Sequence, residues 1–384
     1  MKNKLLLSSA LVGSLAITGL ASAQTTISGS LDLSYKTISN SGTRTKETDS
    51  GFGRETQINL ANKGKLSNGM DYAAGFSLEF DGKSGASVGD NTTTITTSAA
   101  VQSNLQRVSR ENMFIDVISG TTTLSVGMDH LNNMSFSSAP RVAQHATTTV
   151  GSAQLVTSSG QDVPASETNG GVAYQFYPGS TSLGASNYMG IGVQQVTPFG
   201  TITGQYFPRA SAQQASNDGV ARVAAKDAYE LHYRGDLGVK GLTANVGYNV
   251  VNHATASSTQ DEKQKGTAYG LGYNLGQFAV GAQISKTDTG IIGNGVTKID
   301  TKSTELGATF AATKDISLGI THVKTEGTIR QTAAMATDEK IVSGTIGYNL
   351  GAVTLSATYA EIQDARGVSG NDSDIVLIRA GTRF

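Results

Sequence analysis

The chain has 384 residues, 38% of them hydrophobic, and 29 basic residues against 30 acidic ones give a net charge of −1. This near-neutral charge argues against an electrostatic nucleic-acid interface, so we expect no nucleic-acid partner. Cysteine is absent, which excludes disulfides and cysteine-based metal sites. The hydrophobic content is low for one large buried core.

The N-terminus predicts an export signal. Lys2 and Lys4 precede an apolar, small-residue stretch from Leu5 to Leu20, and Ala21-Ser22-Ala23 matches an A-x-A cleavage site. We therefore expect residues 1–23 to be removed and residues 24–384 to form the mature protein. After residue 23 there is no run of about 18 apolar residues, so no transmembrane helix is expected.

Apolar and polar residues alternate with a period of two along the rest of the chain. Near 241–250, for example, Leu242, Ala244 and Val246 alternate with Thr243 and Asn245. This period is that of a β-strand with two different faces. Sixteen such segments are predicted, at 25–38, 54–65, 70–81, 109–119, 121–130, 186–197, 200–208, 226–237, 241–252, 265–275, 277–287, 301–312, 315–326, 338–350, 351–363 and 374–384.

The connections between these segments alternate in length. One set is short, such as Ser67-Asn68-Gly69 and Thr313-Lys314, and the other set is long and polar. Lipid offers no hydrogen-bond partners to the backbone. Strands can therefore cross a membrane only as a closed ring, in which every backbone group is paired with a neighbouring strand. The pattern predicts an all-β fold over 24–384, a transmembrane antiparallel β-barrel of 16 strands. An 18-stranded barrel remains an alternative, because Gly171-Val-Ala-Tyr-Gln-Phe-Tyr177 is also strand-like.

A short sequence occurs twice at strand ends. Gly-Tyr-Asn-Leu-Gly spans Gly272–Gly276 and again Gly347–Gly351, each time between two predicted strands. The repeat predicts two similar hairpins whose tyrosines lie at the same membrane interface.

The last strand ends on an aromatic residue. In Asp374–Phe384, Thr382, Ala380 and Ile378 form an uncharged face, while Arg383 and Arg379 share the other. A terminal Phe384 resembles the C-terminal insertion signal of Gram-negative outer-membrane barrels, although that signal usually has a larger apolar residue where Thr382 stands. The resemblance implies recognition by the barrel-assembly machinery through Phe384.

These features together resemble the general diffusion porins of Gram-negative bacteria. The likeness covers the export signal, the sixteen strands, the long loops and Phe384, and the segment 57–72 is similar to the second hairpin of such porins. It implies an outer-membrane location amid lipid and lipopolysaccharide, and a homotrimer in which each barrel holds its own pore. It also implies that the third long loop, here 131–185, folds into the lumen. The acidic Pro-Glu-Phe motif of some porin constriction loops is absent.

The charges expected to line the lumen follow from strand parity. Lys or Arg facing lipid would cost about 2–4 kcal/mol near the bilayer midplane. The wall candidates are on the other face of their strands from apolar residues such as Ile115 and Ile378. They are Arg110, Asp116, Arg379 and Arg383. Candidates in the loops, where porins often set acids against wall arginines, are Asp129, Arg141, Asp162 and Glu167.

The leading functional hypothesis is a passive, water-filled channel for small hydrophilic solutes and ions. An anion-selective or substrate-selective channel remains open, although the absence of Trp disfavours an aromatic slide for sugars. A secreted β-solenoid or adhesin would show a fixed short repeat, which the sequence lacks. The five histidines are scattered without a catalytic signature, and no metal motif is present. We therefore expect no enzyme activity, no metal and no cofactor.

Overall fold

The computed structural model of the protein describes residues 24–40, 50–80, 109–128, 131, 142, 155–156, 162–163, 189–208, 225–253, 263–288, 300–328, 338–364, 369–370 and 372–384. These residues contain eighteen β-strands. In chain order they are β1 (Gln24–Asn40), β2 (Ser50–Lys65), β3 (Asp71–Phe80), β4 (Ser109–Ser119), β5 (Thr122–Met128), β6 (Leu155–Val156), β7 (Asp162–Val163), β8 (Met189–Thr197), β9 (Gly200–Phe207), β10 (Ala225–Gly235), β11 (Leu242–His253), β12 (Lys263–Asn274), β13 (Phe278–Asp288), β14 (Asp300–Ala311), β15 (Ile316–Thr328), β16 (Glu339–Asn349), β17 (Val353–Gln363) and β18 (Ser373–Arg383).

Sixteen of these strands form one closed antiparallel ring. Each pairs with the next along the chain, β5 pairs directly with β8, and β18 closes the ring on β1 from Ser30↔Arg383 to Asn40↔Ser373. The predicted 16-stranded barrel is confirmed, and the prediction for β4 has the observed bounds. The strand-like segment 171–177 lies outside the described residues, and the ring closes without it.

Two short strands were not expected. β6 and β7 are two residues each and form a small hairpin, in which Leu155 pairs with Val163. Val156 also pairs with Phe52 of β2, beyond the point at Thr56 where the pairing between β2 and β3 begins. The hairpin therefore extends the sheet at the long-loop end of the barrel without adding a strand to the ring.

The two faces of the ring differ as the alternation predicted. Large apolar side chains are exposed on the outer face, Val246, Leu271 and Ile320 among them, while Asn245 and Thr325 are buried on the inner face. Exposed apolar residues around a closed barrel form the band that contacts lipid. In the described part of the chain, no helix is long and apolar enough to cross a membrane.

The repeated hairpins adopt the same turn. Asn274 Oδ1 accepts a hydrogen bond from the Gly276 amide at 2.9 Å, and Asn349 Oδ1 accepts one from the Gly351 amide at 2.9 Å. Both glycines have φ of +87°, a left-handed conformation that glycine adopts without steric cost. The preceding tyrosines, Tyr273 and Tyr348, are exposed on the outer face at the short-turn end, as the repeat predicted.

A second group of exposed aromatics lies toward the long-loop end. Tyr206, Tyr229 and Tyr359 occupy outward positions in β9, β10 and β17. Aromatic residues at both edges of an apolar band mark the two membrane–water interfaces.

Candidate functional site

The inner wall is lined by polar side chains that hydrogen-bond between neighbouring strands. Ser77 Oγ donates to Asn59 Oδ1 at 2.6 Å, and Asn112 Nδ2 donates to Ser77 Oγ at 3.2 Å. Elsewhere on the ring the hydroxyls of Thr345 and Thr358 lie 2.9 Å apart. These pairs give each of the named side chains a hydrogen-bond partner and keep this part of the lumen surface compatible with water.

Four carboxylates belong to the inner face and are buried there. They are Asp116, Glu230, Glu305 and Glu339, each at most 6% exposed. Asp116 stands opposite Ala73 and Ser125 in the ladder, so the structure places it on the inner face that the sequence predicted. These four carboxylates therefore contact other protein groups and do not face open water.

Two residues of the third long loop show how the lumen is crossed. Leu131, just after β5, lies against the wall at β8, because a Cβ added to Gly192 would come within 2.6 Å of its Cδ1. Val142 lies against β15 and β16, where Cβ atoms added to Gly319 and Gly347 would lie 2.9 and 2.7 Å from its methyl groups. It is only 5% exposed.

Val142 lies against the side of the barrel that faces β5 and β8, the two strands that its own loop connects. The loop leaves the ring at β5 and rejoins it at β8, which are adjacent strands. Around the ring, β15 is the seventh strand beyond β8, and β16 is the seventh beyond β5 in the other direction. The prediction that the third long loop folds into the lumen is therefore confirmed at Val142.

The inner wall beside Val142 is lined by small polar residues. In the ladder, Gly319 lies opposite Thr345, and Gly347 lies opposite Ser317 and Ser356. The buried apolar residues of the same inner faces lie nearer the long-loop ends of β15, β17 and β18, and they are Val323, Ile362, Ile375 and Leu377. Val142 is therefore held in the space that the two glycines leave open.

Arg379 is paired across the junction of the first and last strands. Its Nη2 lies 2.7 Å from Asp32 Oδ2, and its Nε donates to Asp32 Oδ1 at 3.0 Å. The side chains are 13% and 24% exposed, so the pair is largely shielded from solvent. Asp32 lies over Gly381, where a side chain would collide with its carboxylate. Arg379 is on the predicted inner face, but its charge is offset by Asp32.

The end of β18 is held on both faces. Arg383 lies opposite Ser30 on the inner side of the ladder, as its parity predicted. Phe384 exchanges two backbone hydrogen bonds with Gly29, of 2.8 and 3.0 Å. Its ring covers Gly29 so closely that a Cβ there would lie 2.6 Å from Cζ.

The parity argument for Arg110 is wrong. The ladder pairs Gly75 with Phe114 but Ser77 with Glu111, so β4 contains one residue more than β3 at this point. This β-bulge includes Asn112, whose φ is +50°. It places Arg110 opposite Leu78, on the other face of the ladder from Asp116, and the side chain of Arg110 lies outside the described part of the structure.

Most loop candidates cannot be placed. Asp129, Arg141 and Glu167 lie outside the described residues, although Arg141 immediately precedes Val142. Asp162 is the first residue of β7 and pairs with Val156, and its side chain is not described.

Sequence reasoning missed the contact partners of Val142. A glycine within a strand often marks a close approach by another segment, and Gly319 and Gly347 carry that signal. What parity cannot supply is the identity of the segment that approaches them.

No catalytic or metal-binding constellation is found in the described ranges. His232 lies on the inner face opposite Thr203 and Gly247, whereas His322 lies on the outer face opposite Leu306 and Val342. No group of three or more His, Cys, Asp or Glu side chains is placed to hold a metal ion within the same part of the chain.

The sequence matches one protein-family model. The model is that of the Gram-negative porins, and it matches residues 8–381. Among curated protein sequences, none matches the chain.

Solved structures of outer-membrane barrels are similar to the whole chain. The anion-selective porin from Comamonas acidovorans has a TM-score of 0.60 at 12% identity, covering 94% of this chain and 100% of its own. Salmonella typhi OmpF, in complex with daunomycin, has a TM-score of 0.59 at 10% identity, covering 94% and 98%. The trimer form of Vibrio cholerae OmpT has a TM-score of 0.56 at 10% identity, covering 94% and 99%. At such identities the likeness concerns the fold alone.

Proposed function

The chain belongs to the Gram-negative porin family, and on that premise we propose that it acts as a trimeric channel narrowed by the segment that carries Val142. The barrel lies in the outer membrane and lets small hydrophilic solutes and ions diffuse passively. The observation that carries the proposed constriction is the contact of Val142 with the wall opposite its own loop.

The geometry suits selection by size and charge. The outer face is apolar and meets lipid, while cross-strand pairs such as Thr345–Thr358 give the lumen a polar lining. A segment that crosses the lumen reduces the open cross-section of the pore, so hydrated solutes pass only through the remaining opening. Charged side chains near that opening then set the ion preference.

Several charges are proposed to influence that preference. Asp116 and Arg383 are on the inner face, and Arg379 belongs there as part of its pair with Asp32. The loop candidates Asp129, Arg141, Asp162 and Glu167, whose side chains lie outside the described structure, are also proposed to contribute. Of these four, Arg141 has the strongest structural support, because its neighbour Val142 lies inside the barrel.

We propose that the channel performs no covalent chemistry. Nucleophilic and acid–base catalysis need side chains held at hydrogen-bond distance from one another. Among the described residues, His232 Nε2 has no hydrogen-bond partner, and His322 lies on the outer face of the wall, away from the lumen.

The assembly and partners follow from the family. A homotrimer is proposed because one similar structure, Vibrio cholerae OmpT, is described in a trimer form. Lipid and lipopolysaccharide would surround the apolar band, and the barrel-assembly machinery would recognise Phe384. Residues 1–23 are proposed as the cleaved signal, so the protein recovered from outer membranes should begin at Gln24.

Bilayer recording tests this proposal. The folded mature protein is inserted into a planar bilayer, and conductance and reversal potential are recorded in a salt gradient. We expect large, mostly open steps that occur in threes, with a reversal potential whose sign identifies the preferred ion. Small steps blocked by a single solute would favour a substrate-selective channel. A heat-modifiable barrel without conductance would exclude the channel function.

A further inference from the structure

Among the described residues, large apolar side chains are exposed at the tips of four short turns. These turns join β8 to β9, β10 to β11, β12 to β13 and β16 to β17, and each side chain is between 49% and 60% exposed. They are Phe199, Leu237, Val239, Leu275 and Leu350, here called the apolar rim.

A short turn on another part of the ring has a different composition. Ser67-Asn68-Gly69 joins β2 to β3, and all three residues are exposed. Beside this turn, Lys65 Nζ lies 2.7 Å from Asp71 Oδ1, and both side chains are more than half exposed. These polar and charged side chains suit a turn that lies in water, whereas the apolar rim does not.

The apolar rim lies beyond the tyrosines at the short-turn end. Leu275 follows Tyr273 by two residues and Leu350 follows Tyr348 by two residues, so each leucine continues the outer face toward the tip. The Leu275 amide donates to the Phe278 carbonyl at 2.7 Å, so the ladder extends to the turn itself. The apolar outer face therefore does not end at the tyrosines.

The height of the apolar band supports the same conclusion. On β16, the outward residue Lys340 precedes Tyr348 by eight residues and Leu350 by ten, and ten residues also separate Lys265 from Leu275 on β12. With a rise of about 3.4 Å per residue and a tilt of about 40°, eight residues span about 21 Å and ten span about 26 Å. The apolar band of an outer-membrane barrel is about 25 Å tall. A band that begins below the lysines therefore reaches the leucines.

The first three turns of the apolar rim are joined by hydrogen bonds. The Phe199 carbonyl accepts one from the Leu237 amide at 3.2 Å and one from the Tyr233 hydroxyl at 2.7 Å. The Asn274 amide donates to the Gly241 carbonyl at 2.8 Å, which links the next turn. Such internal pairing suits an apolar surrounding, because lipid supplies no hydrogen-bond partners to a backbone.

Leu237 has a backbone conformation that is uncommon for leucine. Its φ is +51°, in the left-handed region that glycine and asparagine adopt more readily. The side chain is 52% exposed, so packing within the barrel does not account for a leucine at this position. Contact with an apolar surrounding does account for it.

We propose that the apolar rim inserts into the phospholipid of the periplasmic leaflet, at the boundary between headgroups and acyl chains. The inference rests on the proposed lipid surround and extends it to turns beyond the tyrosines. Lipid fits better than a protein partner because Leu271, Tyr273 and Leu275 continue one lipid-facing surface to the tip. Lys314, in the polar turn between those of Leu275 and Leu350, has an 89% exposed side chain that can extend its ammonium group to the headgroups.

Fluorescence quenching measures the depth of the apolar rim. The chain contains no Trp, so each of the variants Leu271→Trp, Leu275→Trp, Leu350→Trp and Ser67→Trp carries a single fluorophore. The folded mature protein is reconstituted in phosphatidylcholine vesicles whose acyl chains carry bromine at one defined depth. We expect Leu275→Trp to be quenched most strongly about 10 Å closer to the periplasmic surface than Leu271→Trp, and Leu350→Trp to match it. Ser67→Trp should be quenched by aqueous iodide and not by brominated lipid.

The Leu271→Trp variant separates this inference from the lipid surround on which it rests. If Leu271→Trp is quenched by brominated lipid while Leu275→Trp and Leu350→Trp behave like Ser67→Trp, the apolar rim lies in water and the proposal is overturned. If Leu271→Trp is not quenched either, the lipid surround fails as well. Protection of both tip tryptophans from bromine and from iodide would indicate a second copy of the chain on the rim, and would also overturn the proposal.

A second measurement tests the leucines themselves, because tryptophan has its own preference for the membrane interface. Leu271→Trp serves as the depth reporter in a background of Leu237→Asn/Leu350→Asn, and Ser67→Asn/Ser119→Asn is the matched control. Loss of the apolar contacts should move the reporter toward the periplasmic surface, whereas the control should leave its depth unchanged. An unchanged depth in the leucine variant would overturn the proposal.

Folding and conductance of the same samples separate this inference from the channel function. Heat-modifiable gel migration confirms that each variant is folded. The apolar rim lies outside the lumen, so the leucine variant should conduct like the parent. If the rim is quenched by brominated lipid but the parent does not conduct, the channel proposal fails and the rim is supported.

Discussion

The inner wall at β15 and β16 holds a loop residue by leaving room for it, whereas the inner wall at the junction of β18 and β1 joins two strands by an ion pair. In the first region, Gly319 and Gly347 lack side chains and Val142 fills the space. In the second, Arg379 and Asp32 make a two-point contact over Gly381. Both regions use glycine to admit a partner, but the partners differ in chemistry.

The Val142 contact narrows the pore, whereas the Arg379–Asp32 pair joins the first and last strands of the barrel. An apolar contact such as that of Val142 has little directional preference, so it can hold a segment against the wall without fixing the strands. A bidentate ion pair has strict geometry and links the first and last strands of the ring. We therefore expect changes at the first region to alter conductance and changes at the second to alter stability.

The largest expected effect comes from filling the Val142 contact. Gly347→Leu places a side chain where Val142 lies, and displacing a buried valine forfeits about 1.5–3 kcal/mol of apolar burial. The ratio of docked to undocked loop should then fall about tenfold or more. We expect a higher single-channel conductance with an unchanged heat-modifiable barrel.

Gly344→Leu is the matched control for that change. Gly344 lies on the same strand, and a Cβ there meets nothing within 4 Å. It should leave conductance at the parental value. A Gly347→Leu channel that conducts like the parent would contradict the assignment of Val142 to the constriction.

The second prediction concerns the strand junction. Arg379→Gln leaves the Asp32 carboxylate without its guanidinium, and we expect a loss of about 1–3 kcal/mol in the free energy of unfolding. Thermal unfolding in detergent measures it, while conductance should stay close to that of the parent. The double change Arg379→Gln/Asp32→Asn leaves no unpaired carboxylate, so it should cost less than Arg379→Gln alone. Equal losses from the single and the double change would show that the unpaired Asp32 carboxylate is not the cause.

The ring could be predicted from the sequence because its signals are local. Alternation within 109–119 defines β4, and Asn-Leu-Gly defines the turns at Gly276 and Gly351. Each of these depends on residues within one hairpin. A period of two also identifies the inner face, which is why Asp116 was placed correctly.

The contacts could not be predicted because they join distant parts of the chain. Asp32 and Arg379 are 347 residues apart, and parity gives their face but not their pairing. Arg110 failed for a different reason, because one extra residue at the Asn112 bulge reverses the parity of everything before it. Propensity alone does not indicate where a ladder inserts such a residue.

Shortening Val142 tests the same contact from the loop side. Val142→Ala removes two methyl groups from the contact with Gly319 and Gly347, which should weaken docking by about 1–2 kcal/mol. Conductance should rise less than in Gly347→Leu, with more frequent flickering between two levels. Combining both changes should add little, because each disrupts the same contact. An additive increase would mean that Gly347→Leu acts elsewhere.

The smallest expected effect tests whether the wall next to Val142 matters by itself. Thr345 lies opposite Gly319 in the ladder and shares a 2.9 Å hydroxyl contact with Thr358. Thr358→Val keeps the shape but leaves the Thr345 hydroxyl without this partner, so stability should fall by about 0.5–1.5 kcal/mol. Conductance should not change, because the valine methyl replaces the hydroxyl without entering the space of Val142. Thr354→Val, exposed on the same strand, provides the baseline in the same unfolding measurement. A conductance change in Thr358→Val alone would mean that the polar wall, and not only the apolar contact, positions the loop.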